Sequence, residues 1–182
     1  GSSGPKPSFD VEVYKTIFAP QYADVEFIPL GGTNEVQKGA DMFGLLLNKL
    51  APGIKSWKVF DRDDRHEHEI QQAQTDGTQV LPRRDLESYL WDEEILQALC
   101  TAHGLGDKFP ELQEEKKQAL ADGVNSGKAP DDIKEAAGRL YNKCKQVLGL
   151  TQCGNDAEAF ERLTLAPIVK AGTKVCQELG GA

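Results

Sequence analysis

A chain of 182 residues, 39% of them hydrophobic, is long enough for one sizeable domain or a domain with an appendage, and too apolar for wholesale disorder. Its formal net charge of -8 makes it a poor stand-alone nucleic-acid binder, because phosphate contacts dominate that affinity; a bound metal or another domain would have to supply the positive field. No apolar run approaches a membrane span and no signal peptide is seen, so a cytoplasmic location with no membrane partner is expected.

Residues 1–4 (G-S-S-G) read as a cloning scar, so the natural start is expected to lie upstream. Asp10 to Phe18 carries Val11, Tyr14, Ile17 and Phe18 at helical spacing, with Ser8 as N-cap. Asp24 to Leu30 alternates as a strand, and Pro29 places it near an edge or a strand end. Gly31-Gly32 is the turn, and Thr33 or Asn34 caps a helix running through Phe43, Leu46 and Leu50 to Pro52-Gly53. Ser56 to Asp61 then reads as a buried strand, Arg65 to Gln74 as a polar stretch, and Thr78 to Leu81 as a second short strand. Helix, strand, helix, strand with short connections predicts an α/β fold with a mainly parallel sheet flanked by helices.

From Gly104 the pattern is all-helical. Helices are expected over Phe109 to Asp122, Pro130 to Leu148, Asn155 to Leu163 and Pro167 to Leu179, after one over Trp91 to His103. The resulting division is 5–103 for the α/β part and 104–182 for a helical C-terminal part, whose charged helices suggest a lid or an interdomain contact. The four cysteines, Cys100, Cys144, Cys153 and Cys176, are dispersed with no C-x-x-C pair and read as free thiols.

The chemistry-bearing stretch is Trp57 to Arg65, where a strand runs into Asp61, Asp63 and Asp64. Ligands of open α/β sheets bind at the carboxyl ends of strands. In extended backbone Asp61 and Asp63 project to one side, and two such carboxylates repel unless a cation lies between them or one is protonated. Two readings stand on this pattern: a solvated acidic turn, or an oxygen-ligand site for Mg²⁺. A calcium loop is rejected, because its glycine position holds His66 and its final glutamate position holds Gln72. A phosphoryl-accepting nucleophile at Asp61 is a third reading, although the strand is not the first. Glu87, after the next strand, falls on the same rim as Asp61 and could complete the oxygen set, and Arg83 or Arg84 could hold a carboxylate or phosphate. Gly31 and Gly32, before a helix start, could receive a phosphate on backbone N–H groups. His66 and His68 have no zinc spacing and read as part of a solvated helix.

The order of these pieces resembles the TOPRIM domain, in the version attached to ABC-type ATPases of the overcoming-lysogenization-defect (OLD) nuclease kind. The resemblance rests on G-P-K-P-S-F-D at 4–10, P-L-G-G at 29–32, V-F-D-R-D at 59–63, V-L-P-R-R-D-L-E-S-Y-L at 80–90 and L-A-P-I-V-K-A-G-T-K-V at 165–175. It implies a compact α/β sheet with carboxylates around one or two Mg²⁺ (or Mn²⁺) ions, and cleavage of nucleic-acid phosphodiesters, DNA above all. It implies Asp61, Asp63 and Glu87 as metal ligands and catalytic residues, Asp10 as a further ligand, and Arg84 as the group neutralising phosphate charge, with Lys170 or Lys174 as candidate helpers. An ABC-type ATPase domain in cis and a homo-oligomer are the implied partners. One departure matters: the family's first glutamate should precede Gly4, and no glutamate stands there. The chain by itself is therefore expected to be inactive or weak, and the alternative is a non-catalytic assembly module packing on an ATPase.

Overall fold

The computed structural model describes residues 8–29, 42–47 and 49–181. Helix α1 (Phe9–Phe18) opens it, with Asp10 and Glu12 in the first turn, where they complement the helix dipole. Ser8 takes the extended N-cap conformation, but its side chain makes no capping bond. Val13, Ile17 and Phe18 are the buried face. Residues 42–47 and 49–50 are helical (α2). The turn and caps expected at Gly31, Gly32, Thr33 and Asn34 lie outside the described residues.

The strand expected over Asp24 to Leu30 is not formed at its described residues: positions 25–29 have no regular secondary structure. The alternation has another cause. Phe27 packs on α1, its ring 5.5 Å from Tyr14 and 6.3 Å from Phe18, while Val25 and Ile28 stay exposed. A single aromatic anchor on a helix gives a period of two without any ladder.

The second βα unit does form. Strand β1 (Lys58–Phe60) leads through helix α3 (Glu67–Thr75) to strand β2 (Thr78–Val80), and the strands pair parallel with Lys58 opposite Thr78 and Phe60 opposite Val80. A parallel pair needs such a crossover, because a tight turn can only reverse the chain. The buried strand predicted over Ser56–Asp61 shortens because only Lys58–Phe60 find ladder partners, and it is not buried: Trp57 and Val59 are exposed, and Lys58 and Phe60 half-buried. Helix α3 starts with the Glu69 carboxylate accepting from the His66 N–H at 2.7 Å, and Gly77 supplies the positive φ of 77° that turns the chain into β2.

The rest is helical: α4 (Glu87–Leu90), α5 (Glu93–Ala102), α6 (Phe109–Asn125) and α7 (Ile133–Leu148). A broken tail follows, made of α8 (Ala157–Phe160), a π-helical turn (Glu161–Leu165), a 3₁₀ turn (Ala166–Ile168) and α9 (Lys174–Gly180). The helix expected over Pro167 to Leu179 is thus interrupted. Pro167 removes an N–H, and Thr173 starts a new helix by accepting from the Cys176 N–H at 3.1 Å. Helix α7 ends at Gly149 with φ 62°, the left-handed cap that a glycine takes without cost.

The chain is mostly helical around a small parallel pair, an arrangement compatible with the α/β class. One buried cluster joins both halves: Val13 and Ile17 of α1, Leu86, Tyr89 and Trp91 after β2, Leu99 of α5, Leu140 of α7, and Phe160 and Leu179 of the tail. The division at 103/104 is therefore crossed by a continuous core. Trp91 is its largest fully buried side chain, stacked on Phe160 at 5.6 Å, with its indole N–H donating to Glu161 and its carbonyl accepting from Lys116 Nζ at 2.8 Å. All four cysteines are free and buried.

Candidate functional site

The site lies where β1 and β2 end. The ladder continues one step, Leu81 N–H donating to Phe60 C=O at 2.9 Å, and the two exit segments are then tied by Asp63 N–H donating to Arg84 C=O at 2.8 Å. That backbone bond holds Asp61 and the Arg83–Glu87 segment side by side. Asp85 is 1% exposed; its Oδ1 accepts from the N–H and the Oγ of Ser88 at 2.9 and 2.6 Å, which seats the start of α4 and places Glu87 in its first turn.

A lysine fills the space between these acids. Lys134, in the first turn of α7, has its Nζ 3.4 Å from Glu87 Oε2, 3.5 Å from Asp61 Oδ2 and 3.9 Å from Asp85 Oδ2. Burial raises the Asp61 carboxyl to about 6, with Lys134 pulling it down and Asp10, Asp63 and Asp85 pushing it up. Burial likewise raises Glu87 to about 8, against the pull of Lys134. Burial works against the Lys134 ammonium, yet its acidic neighbours hold its pKa above the ordinary lysine range. These directions reconcile at neutral pH if Asp61 is the ionised partner of Lys134 and Glu87 keeps its proton.

Asp63 does not join this group. Its φ of 48° is left-handed, so the chain is not extended there and the expectation that Asp61 and Asp63 project together fails. Its carboxylate is half exposed and lies 3.4 Å from Arg65. Asp10 approaches from α1 and interacts with Asp61 and Lys134 through space, its carboxyl raised by burial and lowered by Lys134. Gly31 and Gly32 fall outside the described residues. Arg84 is on the rim, its guanidinium 2.7 Å from Asp64 and 3.4 Å from Asp131. Arg83 turns away into the fold, bridging Asp92 at 2.6 Å and Glu178 at 2.7 Å over the Tyr89 ring.

Lys134, Asp85, Arg62 and Asp131 are the rim residues that sequence reasoning did not single out. Arg62 pairs with Asp131, in the turn before α7. Neither Lys170 nor Lys174 has a side-chain contact with the rim carboxylates; the Lys174 backbone N–H is bonded to Glu94 at 3.2 Å. Nothing in the spacing of Asp131 and Lys134 relative to Asp61 could have found them, because the two segments lie about seventy residues apart.

The donors are carboxylate oxygens, the type a hard divalent cation takes, and the Lys134 ammonium stands among Asp61, Asp85 and Glu87 as a cation would. Among the described residues, however, no group of three or more His, Cys, Asp or Glu side chains is close enough to hold a metal ion. Also among the described residues, no helix is long and apolar enough to cross a membrane. Comparison of the chain with protein-family models, curated proteins and solved structures finds no match.

Proposed function

We propose that this chain is the phosphodiester-cleaving part of a divalent-metal-dependent, OLD-like TOPRIM endonuclease acting on nucleic acid, DNA in the first instance, and working with an ABC-type ATPase. The observation that carries this reading is the convergence of Asp61, at the end of β1, and Glu87, in the first turn of α4 after β2, on one positive charge at 3.5 and 3.4 Å. On this reading Asp61 and Glu87 would be ligands of Mg²⁺ or Mn²⁺, which calls for acidic side chains closer together than the described residues place them. When bound, such an ion would polarise a phosphoryl oxygen and lower the pKa of water.

The chain's own groups have further roles in this reading. The Glu87 carboxyl, raised to about 8 by burial, would have to lose its proton to bind the ion, so metal uptake at neutral pH would release a proton. Arg84, with a side chain 12% exposed, is a desolvated cation beside the acids and suits a phosphate oxygen. Calorimetric titration with Mn²⁺, paired with a plasmid-nicking assay, both on a longer version of the chain that carries the glutamate the resemblance calls for ahead of Gly4, tests the proposal. Metal uptake lost in Asp61→Ala, together with loss of nicking, is the expected result. Unchanged nicking in Asp61→Ala would sink it.

A second reading has its own support. Met42, Leu45, Leu46 and Leu50 of α2, with Ile54 and Trp57, are each at least half exposed. An apolar group of this size marks a contact surface more often than a free one, and it favours an assembly module. No Mn²⁺ uptake by wild type, with nicking also absent, would decide for that alternative.

A further inference from the structure

The basic half of the rim is occupied as specifically as the acidic half. Arg62 and Arg84, one from each strand exit, grip the two oxygens of a single carboxylate: Arg62 Nη2 donates to Asp131 Oδ2, and Arg84 Nη1 lies 3.4 Å from Asp131 Oδ1. A second carboxylate, Asp64, holds the other Arg84 nitrogen at 2.7 Å. The cations lie inward and the anions outward: the side chains of Arg62 and Arg84 are 30% and 12% exposed, those of Asp131 and Asp64 50% and 80%. Arg62 Nε is buried with no hydrogen-bond partner, so this guanidinium keeps unused donor capacity. Two guanidiniums sharing two oxygens of one anion match the hydrogen-bonding needs of a phosphodiester, and both anions now in place can be displaced from the solvent side. Exposed ion pairs stabilise a fold by little, so exchanging them costs little.

We propose that Arg62 and Arg84 form a binding site for a nucleic-acid phosphate, and that Asp131 is its built-in occupant, standing where the phosphate oxygens bind and lowering affinity until displaced. Three residues on from Asp131, in the first turn of α7, Lys134 stands among Asp61, Asp85 and Glu87, so one segment covers both halves of the rim with charges opposite to theirs. The choice of nucleic acid as ligand rests on the nuclease reading; the guanidinium pair and its mask do not.

The test is fluorescence anisotropy with a labelled single-stranded oligodeoxynucleotide, comparing wild type, Asp131→Asn, Arg62→Gln and the double variant at several salt concentrations. Asp131 is half exposed, so Asp131→Asn is expected to fold, and a thermal melt checks this. The expected result is binding about tenfold tighter in Asp131→Asn, with a steeper salt dependence, because one more phosphate contact releases counterions. The gain should vanish in the double variant, which separates a specific site from a change of net charge. A gain that survives Arg62→Gln, or no gain in Asp131→Asn, overturns the proposal. An equal gain for inorganic pyrophosphate with none for the oligonucleotide, or a gain confined to an acidic phosphopeptide, also overturns it, since each assigns the pair to another ligand. If Asp131→Asn gains affinity while no metal is taken up and no strand is nicked, the phosphate site stands and the nuclease reading falls.

Discussion

Two glutamates, Glu87 half-buried at the strand exits and Glu161 buried in the core, show how one residue type is held by different partners in this molecule. Burial raises both, Glu87 to about 8 and Glu161 to about 7. Glu161 is 4% exposed, sits in the π-helical turn and accepts from the Trp91 indole, a neutral donor inside the core. Glu87 faces a mobile-length cation, Lys134, at a rim open to solvent on the side of Asp64 and Asp131. The same residue type, raised by burial in both places, thus meets a neutral donor in the core in one and a part-exposed cation in the other. The partner makes the difference: an indole fixed by the core cannot leave, whereas a lysine with a half-exposed side chain can.

That comparison can be broken from its structural end first. Trp91→Ala should destabilise the chain by about 3–5 kcal/mol in urea denaturation, from the cavity and from the stranded Glu161 carboxyl together. A loss below about 1 kcal/mol would mean that the Trp91–Glu161–Phe160 cluster is not the centre of the core.

The next effect is on pH dependence. A carboxyl whose folded pKa lies above its unfolded value binds its proton more tightly in the fold. Its contribution is complete below the unfolded pKa, near 4.5, and is lost as pH rises through the folded pKa, about 7 for Glu161 and about 8 for Glu87. Stability should therefore fall from pH 5 to pH 8, with Glu161 alone contributing on the order of 3 kcal/mol to the fall. Glu161→Gln should leave a fall that ends near pH 8, and Glu87→Gln one that ends near pH 7. A flat profile in wild type would refute both assignments.

Lys134→Met sharpens the rim side. It removes the charge that lowers Asp61, so carboxyl NMR should place Asp61 above its wild-type value of about 6, while Glu161, whose main partner is Trp91, should move less. Equal movement of the two would erase the distinction between the regions. The smallest effect is expected at Asp63, whose φ of 48° favours glycine. Asp63→Gly should stabilise by up to about 1 kcal/mol, and Asp63→Val should cost more than that, because a β-branched residue is strained there.

Several features were legible before any coordinates. The helical spacing of Tyr14, Ile17 and Phe18, the run of apolar residues over Val59 and Phe60 and the Asp76-Gly77 turn each led to the element found, because local sterics and side-chain periodicity act within a few residues; the burial of Val13 was not foreseen. The closeness of Asp61 and Glu87 was also legible, since parallel strands joined by a crossover place their exits on one rim. The Asp24–Leu30 strand was misread because alternation cannot distinguish a ladder from one anchored aromatic such as Phe27. The shared orientation of Asp61 and Asp63 failed because a left-handed residue cancels the two-residue repeat.

Sequence by itself thus determined α1, the short parallel pair, most of the later helices, the acidic exit of β1 and the arginines that follow β2, all consequences of short-range covalent geometry. Only the tertiary structure decided what those groups face. The packing of α7 against the strand ends brings Lys134 among the acids and Asp131 onto the arginines, and Coulomb interactions between such remote segments exist only once the core has closed.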